Sequence, residues 1–591
     1  MTEPRRPANR RIEPLLLAAC VAGAACAALA MVPTGAFAAA FAHPARVEQL
    51  GGAIPEASMR GAAFFRASLA AAAALVPLLV WMLVRACPSD AARPPRPIAP
   101  RTRAGWLLLA GIVALGGALR VVFARESLWY DEISAFLSFA IEGPAVAFGS
   151  YAVPTNHVPM TIATWAAWTL SGGSLDELVL RAPAIAAGMA SIATAYALGA
   201  TLFTRRLGLF TALAVAVGPI PVVEGAEARG YAFVILGALV ATLALARAFR
   251  TQGAREYAAF AGACAFMAWS HPVAVLVPVC AGMIGLARDR RLAIASLLAG
   301  VSAAVLLAPL AGDVLATRAD YARSDAAQPA PWSREGLEAV YGLTLAWSGG
   351  RPWWFLDPTP LLAIAAGFGY AAIARSREPA ARRTRAALAP VLAAFVLAFA
   401  LSAALGTWIY ARFLVFTVPA GALALTAFAW SSLRASRGMR GLQPWILPVR
   451  PQTALCAAVI LFASVSGLRN LACRQPIRDA VEIVARSREA DDRVATIGLP
   501  DNAVGFYAQQ YGFEAEATGF LGRDLAAVLA RDEPRFVIVL YPTRVDGEIL
   551  RLLDAGYDRT EVLEGWADWG GGAVEVWRSR TVPGTSLAPT R

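Results

Sequence analysis

The stretch 125–136, RESLWYDEISAF, leaves an apolar run and at once sets two adjacent carboxylates, Asp131 and Glu132, behind a Trp-Tyr pair. A carboxylate so placed can take a proton from a hydroxyl, which makes the pair the first candidate for general-base chemistry. On a helix, neighbouring side chains diverge by about 100°, so the two acids cannot serve one point equally and one of them points into a site. The plainer reading is that Asp131 is an N-cap or first-turn acid answering the helix dipole, with Trp129 and Tyr130 as interface anchors. Three further stretches carry groups of the same kind. PVVEGAEARGYAFVI packs Glu224, Glu227, Arg229 and Tyr231 into a turn between two apolar runs, AWSHPVAVL puts His271 before Pro272, and GTWIYARFLVFTVP brings Tyr410 and Arg412 to the head of another run. Each has a bland alternative: interfacial charges, a structural His, an Arg that snorkels. Together they supply carboxylates, two Arg and a His beside apolar walls, a set that suits a lipid-borne anion.

What must position these groups is a membrane bundle. With 591 residues, 58% hydrophobic and 16% charged, and a mean hydropathy of +0.54, the chain has more apolar surface than one aqueous core can hide. The net charge of +12 comes from Arg alone, since the sequence has no Lys. The seven Cys lie mostly inside apolar runs, without metal-ligand spacing, and predict no disulfide framework. Thirteen runs are candidates to cross about 30 Å of hydrocarbon: 14–41, 61–84, 105–123, 182–203, 207–223, 231–246, 257–270, 272–287, 292–310, 360–374, 386–405, 413–430 and 452–468. Several are short, so about eleven to thirteen spans are expected. Arg-rich loops alternate with Arg-poor ones, which predicts a cytoplasmic N-terminus and puts all three His (His43, His157, His271) and the Asp131-Glu132 pair on the outer side. The first run, preceded by MTEPRRPANRR, suits a retained anchor better than a cleaved signal. Arg66 and Arg120, near the outer ends of their runs, are expected to snorkel.

The expected organisation is a two-helix membrane extension (1–104), a transmembrane domain (105–469) with long outer loops at 124–181 and 311–359, a small periplasmic α/β domain (470–580), and a disordered tail (581–591). In the α/β part, RDAVEIVARSREADDRVATIGLP predicts an amphipathic helix and a strand, NAVGFYAQQYGF a helix, RFVIVLYP a buried strand, RVDGEILRLLDAGY a helix and AVEVWRSR an edge-like strand. Loop 311–359 is long enough to be a lid or binding surface, and its Tyr321 and Arg351 are candidates to meet acceptor or carrier.

The order WYDEISAF, NHVPMTIATWAAWTLSGGSLDELVLRAPAIAAG, GPIPVVEGAEARGYAFVILGALVATLALARAF, WSHPVAVL, YARFLVFTVP resembles the GT-C membrane glycosyltransferases, in particular the bacterial branch related to protein O-mannosyltransferases and aminoarabinose transferases. The likeness covers about 105–430. It departs from the family at the two leading runs, and at NHVPM, where family members often read His-Pro-Pro, so His157 and Pro159 match only in part. The resemblance implies transfer of a sugar from a polyprenyl-phosphate carrier to an acceptor hydroxyl at the outer face of a bacterial inner membrane, the acceptor being a glycolipid, glycan or protein. A hydroxyl needs a base and a departing phosphate needs cations, so Asp131 is the expected base with Glu132 beside it, and Arg229, Arg412 and His271 the expected phosphate ligands. Glu227, Tyr231, His157 and Tyr410 are expected around sugar or acceptor, and a divalent ion (Mg or Mn) on Glu132 and Glu227 is an open option. Neither nucleic acid nor a firm cofactor is implied. The competing function is a lipid or polysaccharide exporter, which predicts charges along a transmembrane path and repeat symmetry, neither of which the sequence displays; a noncatalytic scaffold is a third.

Overall fold

The computed structural model describes residues 14–87, 98–316, 360–405, 410–438, 473–499, 503–567 and 572–580, with scattered residues between 457 and 468. Tyr321, Arg351, most of the predicted 452–468 span and the tail 581–591 lie outside the described residues. In hydrocarbon each backbone N–H and C=O must find its partner inside the chain, so the apolar runs fold as helices. Among the described residues seven helices are long and apolar enough to cross a membrane: Glu56–Ala86, Arg103–Phe123, Glu177–Leu202, Tyr231–Thr251, Arg290–Ala316, Pro379–Leu405 and Arg412–Ser431. The helical turns at 311–316 belong to the fifth of these, so the loop predicted from 311 starts later. Shorter helices, Arg205–Val217, Ala254–Ser270 and Pro360–Arg375, have 13, 17 and 16 residues. Proline sets two of these lengths: Gly218-Pro219 stops the first, and Pro272 follows the end of the second.

The first apolar run is not one straight span. It is a helix Pro14–Ala30 and a helix Thr34–Phe41, bent by 92°. Pro33 at the break lacks the N–H that would continue the first helix. Arg66 closes the corner, its Nε donating to the Ala30 carbonyl (3.1 Å) and its Nη1 to Thr34 Oγ1 (2.7 Å), so it staples two helices rather than only reaching for water. Arg120 is a plainer correction, for it is fully buried. The helix Arg205–Val217 ends at Gly218-Pro219 and leaves carbonyls without helical donors. Arg120 supplies them, donating from Nη2 to Val215 (3.3 Å) and Pro221 (2.8 Å) and from Nη1 to Ala216 (3.4 Å) and Gly116 (2.8 Å).

The helices Tyr231–Thr251 and Arg412–Ser431 form the centre of the bundle, each about three-quarters enclosed, whereas Arg103–Phe123 lies at the periphery. Both central helices begin at candidate site residues. The extension packs its long helix Glu56–Ala86 along Pro14–Ala30 and Arg290–Leu307. That crossing is close: a Cβ on Gly61 would strike the Pro309 carbonyl, and one on Gly312 the Ala57 carbonyl. Near the start of that long helix Phe37, Phe41, Phe65 and Phe148 pack, mostly edge to face, with centroids 5.1 to 5.8 Å apart.

The C-terminal part carries a five-stranded sheet of order β2-β1-β3-β5-β4, with β1 Val494–Gly498, β2 Ala515–Phe520, β3 Phe536–Leu540, β4 Tyr557–Leu563 and β5 Val574–Ser579. β1 pairs parallel with β2 and β3, while β5 runs antiparallel between β3 and β4. The segment AVEVWRSR is therefore an interior strand, not an edge; the edges are β2 and β4, and the polar YDRTEVL of β4 hides its strand character from a search for apolar runs. The amphipathic helix Ile477–Ser487 covers the sheet, and its Ile477, Ala480, Val481 and Val484 share one apolar core with β3, β5 and Leu128, Tyr130, Ile133 and Phe136 of the segment that follows the helix Arg103–Phe123.

Candidate active site

The acid pair opens the helix Tyr130–Ala135. Glu132 takes the first-turn task that the sequence left open for Asp131: its Oε2 accepts from the Trp129 N–H at 3.2 Å. Its Oε1 accepts from Arg181 Nε (2.8 Å) and from the Ala228 N–H (2.6 Å), and Arg181 Nη2 holds Oε2. Arg181 spends its other donors on the carbonyls of Ala124, Glu126 and Ser127. Glu132 is thus a buried strut, 1% exposed, that ties the acid turn to the Arg181 helix and to the turn at Ala228. Asp131, one position earlier, faces the other way and is 17% exposed. Its Oδ2 lies 3.2 Å from Arg229 Nη2 and 3.7 Å from Arg412 Nη2.

Arg229 is buried and anchored, with Nη1 donating to the Asp131 carbonyl (3.3 Å) and to that of Thr155. Arg412 lies over the rings of Tyr410 (4.2 Å) and Trp129 (5.2 Å). The wall beside them is aromatic. His157 and Tyr231 are 4.9 Å apart, His157 and His271 5.2 Å, His271 and Phe413 4.6 Å, and Phe413 and Tyr410 5.2 Å between centroids. The Gly230 N–H donates to His157 Nδ1 at 2.7 Å, so the neutral ring carries its proton on Nε2. Burial, then Arg229 and Arg412, push His271 down to about 3; burial, then Arg229, His271 and Arg412, hold His157 well below its ordinary value. Both rings are neutral near pH 7, and His271 serves an anion only through a neutral N–H. Tyr231 Oη, His271 Nδ1 and Trp129 Nε1 are buried with no hydrogen-bond partner among the described residues.

Sequence reasoning missed Arg474. It enters from the segment before the helix Ile477–Ser487, with Nη2 3.0 Å from Glu224 Oε1 and Nη1 2.8 Å from Glu227 Oε2. Its guanidinium lies between the rings of Trp129 (4.5 Å) and Trp566 (4.3 Å). Burial works against its charge, but Glu227 and Glu224 outweigh burial and hold its pKa above the ordinary value. The available signal was positional: Arg474 and Gln475 stand as a polar pair just past the last apolar run. Tyr151 was also missed; burial pushes its phenol up to about 12, and Arg229, Tyr231 and Asp131 are all near enough to act on it.

The geometry does not fit a divalent ion on Glu132 and Glu227. Each carboxylate is committed to an Arg, and among the described residues no three His, Cys, Asp or Glu gather at metal-holding distance. What the cluster can do is hold a phosphate between Arg229 and Arg412 with a carboxylate at the same point.

No family model matches the chain. No curated protein matches it either. Solved structures similar to it include ArnT from Cupriavidus metallidurans bound to undecaprenyl phosphate, at 15% identity and a TM-score of 0.47 over 83% of this chain and 100% of that one. The same protein in the apo state gives 14% and 0.49 over 80% and 98%. The Archaeoglobus fulgidus oligosaccharyltransferase tethered to an acceptor peptide gives 14% and 0.45 over 78% and 72%.

Proposed function

We propose that the protein is an inverting glycosyltransferase that moves a sugar from a polyprenyl-phosphate carrier to an acceptor hydroxyl at the outer face of a bacterial inner membrane. The observation that carries this reading is the convergence of Arg229 and Arg412 on one oxygen of the partly exposed Asp131, at 3.2 and 3.7 Å, at the head of the two central helices. In the reaction, Asp131 accepts the proton of the acceptor hydroxyl as its oxygen bonds to the anomeric carbon. The bond from that carbon to the phosphate oxygen breaks with its electron pair, and a phosphodiester monoanion becomes a phosphomonoester with up to two charges. Arg412 and Arg229 meet the charge where it grows, which is where fixed cations lower a barrier most. One displacement with one base inverts the anomeric centre, and no second carboxylate is needed as a nucleophile. Neutral His157 and His271, Tyr231 and Tyr410 offer donors and ring faces to the sugar, and the aromatic wall keeps water from competing with the acceptor. The α/β part stands on the same outer side in this reading.

The test is transfer from a labelled polyprenyl-phosphate sugar by purified protein in detergent. Asp131→Asn keeps the size of the side chain and removes the proton acceptor; a loss of roughly a hundredfold or more in turnover is expected from protein that still elutes monodisperse, with a lower unfolding midpoint because Arg229 and Arg412 lose a counter-charge. Turnover retained in that variant removes Asp131 as base, and movement of intact lipid between leaflets of reconstituted vesicles without sugar transfer makes the protein an exporter.

A further inference from the structure

The backbone just ahead of Asp131 is held mostly from the far end of the chain. Tyr507 Oη accepts from the Leu128 N–H at 2.7 Å and sits 3.0 Å from Glu177 Oε1, to which it donates. Gln475 Oε1 accepts from the Tyr130 N–H at 3.0 Å. The Arg478 N–H donates to Ser127 Oγ at 3.1 Å, and the Arg478 guanidinium bridges Glu177 (2.7 Å) and the Arg125 carbonyl (3.1 Å). Between these bonds the Trp129 indole is fully buried under Arg474. A helix start leaves N–H groups without helical partners, and here Gln475, 345 positions downstream, takes the one at Tyr130, while Tyr507, 379 positions downstream of Leu128, takes the N–H just ahead of the helix.

We propose that the C-terminal part is a working piece of the catalytic centre, with Gln475 and Tyr507 as positioning residues that hold the 127–130 backbone so that Asp131 stays within reach of Arg229 and Arg412. The proposal rests on the transfer reading for its kinetic consequence but not for its physical one. A base is effective only in a narrow geometry, and a displacement near 1 Å costs on the order of a hundredfold in rate. A small domain that only recruited acceptor would not need to satisfy the amides next to the base. Here the amides of residues 128 and 130, flanking the indole and directly preceding the acid, are the ones it satisfies.

Gln475 gives a discriminating test, because among the described residues its Nε2 has no hydrogen-bond partner and only its Oε1 is used. In the full chain, Gln475→Met keeps length and removes the acceptor, Gln475→Glu keeps the acceptor, and Tyr507→Phe removes the other. Amide hydrogen exchange of the 127–131 segment should quicken roughly tenfold in Gln475→Met and Tyr507→Phe and stay near wild type in Gln475→Glu. Turnover should fall about tenfold or more in the first two, with KM for the carrier within about twofold, and recover in Gln475→Glu. Unchanged exchange in Gln475→Met overturns the proposal, as does a loss that appears in KM or that Gln475→Glu does not restore. Quickened exchange in a protein that transfers no sugar even as wild type supports the clamp and sinks the transfer reading, so the two fail separately.

Discussion

Trp129 is the residue on which the site's cations converge: Arg474, Arg412 and Arg229 lie 4.5, 5.2 and 6.0 Å from its ring centroid. Three guanidinium groups around one ring repel one another, and the arrangement holds because the indole faces attract cations and Asp131, Glu224 and Glu227 offset the charge. Burial first, and then the same cations, set the histidines. His157 and His271 have folded pKa values below the ordinary 6.5, so below that point the unfolded chain binds more protons than the folded one. The sign follows: their contribution leaves stability intact above pH 6.5 and removes it progressively as pH falls from there toward about 3. Thermal unfolding followed between pH 7.5 and 4.5 should show a midpoint that drops below about pH 6.5, and a flatter drop in His271→Asn; an equal drop in the variant would assign the effect to other groups. The sequence displayed these residues through their types and their places at the heads of apolar runs. It could not show that Glu132 would be spent on Arg181 while Asp131 stayed accessible, because that division depends on which way one helical turn faces two distant helices.

At the scale of elements, the two leading helices departed from the family resemblance and had no stated purpose. The structure joins them to the site's flank. Arg46 Nη1 pairs with Asp313 Oδ1 at 2.7 Å, and Asp313 Oδ2 accepts from Ser150 Oγ (3.1 Å) and the Tyr151 N–H (2.6 Å), so one carboxylate ties the extension to the backbone of Tyr151, whose phenol feels Arg229 and Asp131. The contact depends on the absence of side chains at Gly61 and Gly312. Gly312→Val should lift the Glu56–Ala86 helix off its neighbour and orphan buried donors at about 1–3 kcal/mol each, visible as a lower unfolding midpoint, whereas Gly300→Val, which meets nothing within 4 Å, should not. Equal midpoints in the two variants would refute the close crossing. Helix existence was legible from apolar runs, and the places where Pro33, Pro219 and Pro272 broke them were legible in principle. The 92° bend and the interior position of β5 were not, since both are set by partners far away in sequence.

For the molecule as a whole, the apolar core shared by the segment around the acid pair and the C-terminal sheet means that neither is an independent lobe. A chain lacking residues 474–591 would uncover Leu128, Tyr130, Ile133 and Phe136, each worth roughly 1.5–3 kcal/mol of burial. Such a truncation should lose its cooperative unfolding transition and aggregate in detergent, as read by size exclusion and scanning fluorimetry; a monodisperse truncated chain with an unchanged midpoint would show that the shared core is dispensable. Arg120 carries a different consequence, one of timing. Its acceptors Val215, Ala216 and Pro221 come 95 to 101 residues later in the chain. A polypeptide entering the bilayer from its N-terminus delivers this guanidinium before those carbonyls have been synthesised. Until they arrive the charge must be solvated at the nearby end of its own helix, and it swings inward only when the later segment docks. Biogenesis of this bundle therefore contains a step in which an arginine exchanges water for backbone, and the order of translation imposes it.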